Sequence, residues 1–226
     1  MTWIKICGTT SERDAEIAIR AGANALGFVM AESTRQVTDT AAYSIGTIVP
    51  KGVETIGVFV NEKLDMIVQT ARFCRFSGVQ LHGDEDRNYI AKLRDALPGV
   101  KIIKAISLAA LPATTEKAPD VWLLDSGTSA LRGGTGKKFD WRAAQSLMRK
   151  LTQPVIVAGG LNADNVHQAL EMLQPWGVDV VSGVELYPGR KHSGAVAQFI
   201  DAVRQFDAAS RSKLTAHRGR YQNHLQ

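Results

Sequence analysis

The sequence predicts an α/β protein that folds as one (β/α)8 barrel over residues 1–206. Short runs of apolar, mostly β-branched residues alternate with helical patterns roughly every 25 residues, which is typical of parallel strands joined by crossover helices. These runs are too continuously apolar for a sheet with one wet face, so we expect both faces to be buried. Eight such runs close well into a barrel. They are Trp3–Cys7, Ala25–Met30, Thr55–Val60, Gly78–Leu81, Lys101–Ile106, Val121–Asp125, Pro154–Ala158 and Val178–Val181.

Capping and breaking residues delimit the helical patterns between these runs. Ser11 is a typical N-cap, Gly22 is a typical helix stop, and Asn61 is a possible cap for the third helix. The segment after the fifth strand is the weakest helix because two prolines interrupt it. The predicted helices are Ser11–Ala21, Thr40–Val49, Leu64–Arg75, Asp84–Leu97, Leu108–Ala118, Trp141–Lys150, Asn162–Leu173 and Ser193–Phe206.

An open, doubly wound sheet is the structural alternative to a barrel. Such a sheet usually carries a glycine-rich turn after its first strand, which holds a dinucleotide. Here the first strand ends in Cys7-Gly8-Thr9-Thr10, without the G-x-G-x-x-G pattern. The sequence therefore favours the barrel.

Composition limits the class of protein. The 226 residues are 45% hydrophobic and 22% charged, as in ordinary globular domains. No run approaches the ~20 apolar residues that span a bilayer, so we expect no membrane association. The N-terminus lacks a secretory signal pattern, and the two cysteines are too few for a disulfide framework. We therefore expect a cytoplasmic protein.

Positive charge is concentrated at the C-terminus. The net charge is +5, and residues 207–226 carry four basic residues against Asp207 alone. A near-neutral body with a basic tail lacks the basic face of a nucleic-acid-binding domain, so we expect no nucleic-acid partner. We predict that residues 207–226 form a disordered tail beyond the catalytic domain, with a weak electrostatic contact site as the alternative.

Glycine turns follow the last two predicted strands. Gly159 and Gly160 come after the seventh strand, and Ser182 and Gly183 come after the eighth. Active sites of such barrels lie at the carboxyl ends of the strands, and phosphate usually binds in these two final loops. Glycine lets backbone N–H groups approach phosphate oxygens closely. The sequence predicts a phosphate site here, although tight turns alone would also explain the glycines.

Two side chains at strand ends are candidates for acid–base chemistry. Cys7 ends the first strand and Asp125 ends the sixth. A partly ionised thiol is a usable base, and a semi-buried aspartic acid can keep its proton and act as an acid. The structural alternatives are a small core residue for Cys7 and a turn residue for Asp125. Cys74 lies within a helical pattern and is expected to be structural.

Other residues at the same edge are candidates for substrate binding. Arg35 follows the second strand and can pair with a carboxylate, although a solvated loop arginine is equally consistent. His82 follows the fourth strand and either contacts substrate or caps the next helix, and Asp179 lies within the eighth. No Asp/His cluster has metal-ligand spacing, so we expect no metal and no cofactor. The stretch 132–138 is not a Walker A loop and is interpreted as a mobile loop over the site.

Six segments together resemble the phosphoribosylanthranilate isomerase family of tryptophan biosynthesis. Each motif is short, but they occur in order across residues 1–206, which makes the match specific. The segments are Lys5-Ile6-Cys7-Gly8, Gln80-Leu81-His82-Gly83, Leu124-Asp125-Ser126, Gly133-Gly134-Thr135-Gly136 with Phe139-Asp140-Trp141, Ala158-Gly159-Gly160-Leu161, and Ser182-Gly183-Val184-Glu185 with Pro188-Gly189.

This resemblance implies a metal-free barrel, monomeric or homodimeric, that catalyses an Amadori rearrangement. N-(5'-phosphoribosyl)anthranilate would become 1-(2-carboxyphenylamino)-1-deoxyribulose 5-phosphate. The resemblance implies Cys7 as general base, Asp125 as general acid and Arg35 as the ligand of the anthranilate carboxylate. It also places the substrate phosphate on Gly159, Gly160, Ser182 and Gly183.

The sequence departs from the family pattern at two positions. Thr34 replaces a proline before Arg35, which weakens the expected placement of that arginine, and His192 replaces an aspartate before the last helix, which predicts weaker capping. Two other functions stay open. One is the aminoaldose isomerase of histidine biosynthesis or a bifunctional relative, which typically has an aspartate where Cys7 stands. The other is a non-catalytic barrel that binds a phosphorylated ligand.

Overall fold

Eight parallel strands close into a barrel in a computed structural model, which describes residues 1–107, 119–125 and 141–222 and the side chains as far as Ser212. The strands follow chain order around the barrel, and the first pairs with both the second and the eighth. The predicted (β/α)8 fold is confirmed, and each strand ends within one residue of its predicted position. The strands are β1 Trp3–Cys7, β2 Ala25–Val29, β3 Glu54–Phe59, β4 Gly78–Leu81, β5 Lys101–Ser107, β6 Val121–Asp125, β7 Val155–Val157 and β8 Gly177–Val180.

Helices occupy most of the connections between these strands. The predicted helix over Leu108–Ala118 and the predicted mobile loop over residues 132–138 lie outside the described residues. After β8, a short antiparallel pair of strands, β9 Glu185–Tyr187 and β10 Arg190–Lys191, precedes the last helix. The helices are α1 Glu12–Ala21, α2 Asp39–Thr47, α3 Leu64–Phe73, α4 Arg87–Ala96, α5 Trp141–Met148, α6 Val166–Leu173 and α7 Ser193–Gln222.

The first helix has the capping predicted from its sequence. The Ser11 hydroxyl accepts a hydrogen bond from the Asp14 N–H at 3.2 Å, which satisfies one of the unpaired donors of the first turn. Gly22 ends the helix in the left-handed region, at φ 96°, where a side chain would be strained. These two residues fix where α1 starts and stops beneath the loop that follows Cys7.

Two other helix starts differ from prediction. Asn61 does not cap α3, because its side chain is bonded to Asp84 instead and α3 begins after Lys63 without a side-chain cap. The His192 departure does not leave α7 uncapped. Its Nδ1 accepts from the Ala195 N–H at 3.0 Å, since a neutral imidazole nitrogen can take the place of a carboxylate oxygen.

The barrel buries two apolar layers, one inside the strands and one between strands and helices. Side chains that alternate along each strand supply the two layers, which explains why the strands are continuously apolar. Three polar side chains interrupt the inner layer near the carboxyl ends of the strands. They are Lys5 on β1, Gln80 on β4 and Asp179 on β8, each at most 5% exposed.

The last helix is longer than its sequence pattern predicts and continues from residue 206 into the segment predicted to be disordered. Asp207 accepts hydrogen bonds from the Thr2 N–H at 2.9 Å and the Thr2 hydroxyl at 2.7 Å. Arg204 donates to the Thr2 carbonyl at 2.7 Å. Good helix formers follow Asp207, and the contacts with Thr2 hold this part of α7 against the start of β1. Residues 223–226 lie outside the described residues.

No helix in the described part of the chain combines the length and apolarity needed to cross a membrane.

Replacing Asp207 with Asn tests the contact between α7 and the N-terminus. We expect a loss of about 1–2 kcal/mol in the free energy of unfolding at pH 7, because the charged acceptor of the Thr2 bonds is lost. Hydrogen bonds from Thr2 and Arg204 outweigh burial and lower the pKa of Asp207. Its stabilisation is therefore complete above the unfolded pKa of about 4 and fades as the pH falls further.

Urea unfolding at pH 7 and at pH 3 measures this loss. Asp201→Asn, at an exposed position of the same helix, is the matched control and should change stability little. Equal effects of the two variants at pH 7 would contradict the proposed contact.

Candidate active site

A cavity of about 420 Å³ opens at the carboxyl ends of the strands. Another cleft, of about 540 Å³, lies on the outside between α1 and α7, away from the strand ends. The cavity in the barrel, rather than the outer cleft, gathers the residues predicted from the sequence. Those that line it are Cys7, Arg35, His82, Asp125, Gly159, Gly160, Asp179 and Ser182.

Cys7 ends β1 with its side chain directed into this cavity and is 4% exposed. Its Sγ packs directly on Gly27 of the neighbouring strand, where an added Cβ would lie only 2.5 Å from the sulfur. Glycine is therefore required at that position. Burial raises the pKa of the Cys7 thiol, although the positive charges of Lys5 and Lys191 act in the opposite direction.

Asp125 ends β6 and contacts His82 across the cavity wall. The distance from His82 Nε2 to Asp125 Oδ2 is 3.2 Å, and Gln80 Nε2 lies 2.8 Å from His82 Nδ1. The Gln80 amide nitrogen can only donate a hydrogen bond. With this orientation of the Gln80 amide, the His82 Nδ1 is therefore the acceptor, and the ring proton lies on Nε2, which faces Asp125. His82 therefore does not cap the next helix. Asp86 fills that position by accepting from the Tyr89 N–H.

Arg35 is held by a buried carboxylate. Its Nε and Nη2 donate to Glu185 at 2.9 and 2.7 Å, and Glu185 also pairs with Lys191 Nζ at 3.1 Å. Hydrogen bonds to Glu185 raise the pKa of Arg35 despite its partial burial. Burial opposes the charge of Glu185, but Arg35 and Lys191 together lower the pKa of this carboxylate. Arg35 is therefore held in position although Thr34 replaces the proline, because the ion pair with Glu185 fixes its side chain.

Lys191 connects this ion pair to the base candidate. Its Nζ donates to the Cys7 carbonyl at 2.5 Å and is fully enclosed. Burial outweighs the attraction of Glu185 and lowers the pKa of Lys191. The loop carrying Arg35 and the strand carrying Cys7 are thus joined through one carboxylate and one ammonium.

The two predicted glycine turns meet beside the cavity. Gly159 and Gly160 both have positive φ angles, 88° and 67°, which glycine adopts without strain. Gly183 packs so closely on the Leu161 carbonyl that a side chain there would collide with it. Gly183 supports the neighbouring turn and, unlike Ser182, does not itself line the cavity.

Asp179 reaches the cavity from β8, where it stands opposite Lys5 in the strand pairing. Its Oδ1 lies 2.8 Å from Lys5 Nζ, and both side chains are buried. This carboxylate thus already has a buried cationic partner.

Sequence reasoning missed five residues that hold the predicted ones in place: Lys5, Gly27, Gln80, Glu185 and Lys191. A signal existed for two of them. Lys5 and Gln80 are polar residues two positions before Cys7 and His82 in otherwise apolar strands, so they share a face with them. Gly27 and Glu185 contact Cys7 and Arg35, which are distant from them in sequence, so no local sequence pattern identifies these two residues.

Among the described residues, no three His, Cys, Asp or Glu side chains come together closely enough to form a metal site. The groups available in the cavity for binding are therefore the Arg35 guanidinium, the backbone of the two glycine turns and the polar side chains at the strand ends.

A (β/α)8 barrel that places a thiol, a carboxyl–imidazole pair, an arginine and two glycine turns around one cavity defines a class of enzymes that act on small phosphorylated substrates. Comparison with known proteins narrows this class. A sequence model of the family described as N-(5'phosphoribosyl)anthranilate (PRA) isomerase matches residues 4–202. The chain belongs to this family.

Three similar proteins illustrate the relationship. The N-(5'-phosphoribosyl)anthranilate isomerase of Trichlorobacter lovleyi is 41% identical over 201 residues, which cover 88% of this chain and 97% of the relative. The solved phosphoribosyl anthranilate isomerase of Thermotoga maritima superposes with a TM-score of 0.80 at 32% identity, covering 91% of this chain and all of the other.

A third solved structure is a phosphoribosyl anthranilate isomerase in complex with reduced 1-(o-carboxyphenylamino)-1-deoxyribulose 5-phosphate. It superposes with a TM-score of 0.76 at 30% identity and covers 91% of this chain and all of the other. The family predicted from the motifs is thereby confirmed, and with it an isomerase activity in tryptophan biosynthesis.

Replacing Gly27 with Ala tests the packing beneath the Cys7 sulfur. The added methyl would displace Sγ, and a displacement of about 1 Å in a catalytic group can cost about 10²-fold in rate. We therefore expect kcat to fall by about that factor while the protein stays folded.

Steady-state kinetics and circular dichroism measure these two quantities. Gly46→Ala in α2 is the control, since its added methyl would meet its nearest neighbour at an ordinary 3.8 Å. Normal turnover of Gly27→Ala would show that the sulfur position is not critical.

Proposed function

We propose that this cavity isomerises N-(5'-phosphoribosyl)anthranilate by acid–base catalysis, with Asp125 as the general acid and Cys7 as the general base. The observation that carries these roles is that both side chains line one cavity, on strands β6 and β1, together with the predicted phosphate turns. The solved family member that contains the reduced product supports a ligand of this size and charge. A small-molecule substrate is thus the partner that the site favours.

In the first step Asp125 protonates the ribose ring oxygen, and the ring opens to a protonated Schiff base. The contact with His82 supports this role, because a carboxyl group whose Oδ2 accepts from the Nε2–H can carry its proton on the other oxygen. Gln80 fixes the imidazole tautomer that makes this arrangement possible.

In the second step Cys7 removes the proton from C2, which the neighbouring iminium cation makes acidic. The electrons of that C–H bond form the enolamine and neutralise the nitrogen. The enolamine then gains a proton at C1 and loses one from the C2 hydroxyl, which gives the ketone. The substrate and product are isomers, so no oxidant or reductant is consumed.

The two ends of the substrate bind to different groups in the cavity. The phosphate binds at the turns after β7 and β8, where Gly159, Gly160 and Ser182 line the cavity and Gly183 supports the turn by packing on Leu161. The anthranilate carboxylate binds Arg35, whose Nη1 has no hydrogen bond within the described residues. A cytoplasmic location and a monomeric or homodimeric state stay predictions.

The activity and the role of the acid are tested with the same assay. Purified protein should convert phosphoribosylanthranilate, which is followed as a loss of anthranilate-type fluorescence. Asp125→Asn should lower kcat by about 10²-fold or more, because an amide cannot donate the proton to the ring oxygen. Asp164→Asn, at an exposed position in the loop after β7, is the matched control. Wild-type turnover of Asp125→Asn would remove this residue from the role of acid.

The role of the base is tested by Cys7→Ser. We expect a loss of turnover of about 10²-fold or more with little change in affinity for a phosphate-bearing product analogue, since a hydroxyl is a far weaker base than a thiolate at neutral pH. Cys74→Ser is the control, because Cys74 is buried against the Asp39 carbonyl, away from the cavity. Equal losses of binding and turnover in Cys7→Ser would indicate a structural role.

A further inference from the structure

A buried ion pair lies beneath the floor of the cavity. Lys5 is 0% exposed and Asp179 is 5% exposed, and their Nζ and Oδ1 atoms are 2.8 Å apart. Burying two charges costs several kcal/mol per ion, and a well-packed apolar pair is often at least as stable. Stability alone therefore does not explain a lysine in the otherwise apolar interior of this barrel.

Strand geometry directs this pair toward Cys7. Lys5 and Cys7 lie two residues apart on β1, so their side chains share the inner face, with Lys5 one layer below the cavity. Asp179 stands directly opposite Lys5 on β8. Asp179 and Cys7 line the cavity, whereas Lys5 does not.

The Lys5 ammonium interacts with Asp179 and with Cys7 at the same time. Its Nζ lies 2.8 Å from Asp179 Oδ1, and side-chain hydrogen bonding with both Asp179 and Cys7 favours its charged form. Burial opposes its charge, but the attraction of Asp179 and of Cys7 raises its pKa, so Lys5 stays charged. A charged ammonium therefore lies next to the thiol.

Other charged groups also face Cys7. Lys191 bonds the Cys7 carbonyl from β10, and Arg35 lies nearby in the loop after β2. Both of these cations are paired with Glu185, which offsets their effect on the sulfur. Lys5 differs from them because its carboxylate partner, Asp179, is itself a neighbour of the thiol.

We propose that Lys5 is a positioning residue for the Cys7 base, whose buried ammonium stabilises the thiolate, and that Asp179 holds this ammonium in place and limits its effect. The thiol releases its proton to water in the cavity, and the thiolate then accepts the C2 proton of the substrate. This inference rests on the proposed role of Cys7 but concerns a property of the sulfur that is measurable without substrate.

The test follows the pH dependence of Cys7 alkylation by iodoacetamide in a Cys74→Ser background, where Cys7 is the remaining thiol. Lys5→Met should raise the midpoint of the alkylation profile by about one to three pH units, the usual effect of an opposite charge within a few ångströms. Asp179→Asn should lower the midpoint, because it removes a negative charge from the surroundings of the sulfur.

The double variant Lys5→Met/Asp179→Asn guards against misfolding, because it leaves neither charge buried alone. Its midpoint should lie above that of the parent and below that of Lys5→Met, since Lys5 affects the thiol more than Asp179 does. The pH profile of kcat should move in the same direction as the alkylation midpoint in each variant that turns over.

Midpoint shifts of opposite sign in the two single variants would support the proposal, because a purely structural role would change the alkylation rate equally at every pH. An unchanged midpoint in Lys5→Met or in the double variant, or shifts of the same sign, would overturn it. The proposed role of Cys7 as the general base is tested separately. Normal turnover of Cys7→Ser would contradict that role, whatever the alkylation midpoints of the Lys5 and Asp179 variants are.

Discussion

The pairing of β1 with β8 is the interaction on which the site depends. It joins strands from opposite ends of the chain and closes the barrel, with Lys5 opposite Asp179. This closure places Cys7 beside the turns that follow β7 and β8. Because side chains alternate along a strand, a slip of one residue in this pairing would turn both Lys5 and Cys7 out of the barrel. The same strand pairing therefore closes the barrel, sets the register of β1 and positions Cys7 in the cavity.

Charge is distributed unequally around the cavity. The cations that influence the sulfur lie on the side of β1, where Lys5, Lys191 and Arg35 are grouped with the carboxylates of Asp179 and Glu185. The side of β6 carries Asp125 with the His82 imidazole, whose Nε2 lies 3.2 Å from the Asp125 Oδ2. Positive charge favours the ionised form of an acid, and a neutral donor does so less. This distribution accords with the roles proposed above for Cys7 as the base and Asp125 as the acid.

The sequence predicts the barrel well because the information is local. Strands buried on both faces are apolar throughout, so their ends are recognisable to within one residue, and residues at those ends converge once the barrel closes. Contacts between distant loops carry no such signal. The bond of Arg35 to Glu185 spans 150 residues, and the bond of Thr2 to Asp207 spans 205. The placement of Arg35 therefore follows from no local pattern, and the helix formers after residue 206 do not by themselves predict that α7 is held against Thr2.

If Cys7 acts as the proposed base, the buried lysine balances the basicity of the thiolate against the fraction of Cys7 that is ionised. Burial alone raises the pKa of the Cys7 thiol, which makes the thiolate a stronger base but a rarer one at neutral pH. A substrate carrying a phosphate and a carboxylate adds negative charge to the cavity and raises this pKa further. An ammonium shared between Asp179 and the thiolate counteracts both effects, while Asp179 keeps the sulfur from becoming too weak a base. Because a buried ion pair adds little to folding stability, the proposed effect on the sulfur gives a reason for a charged residue at this position.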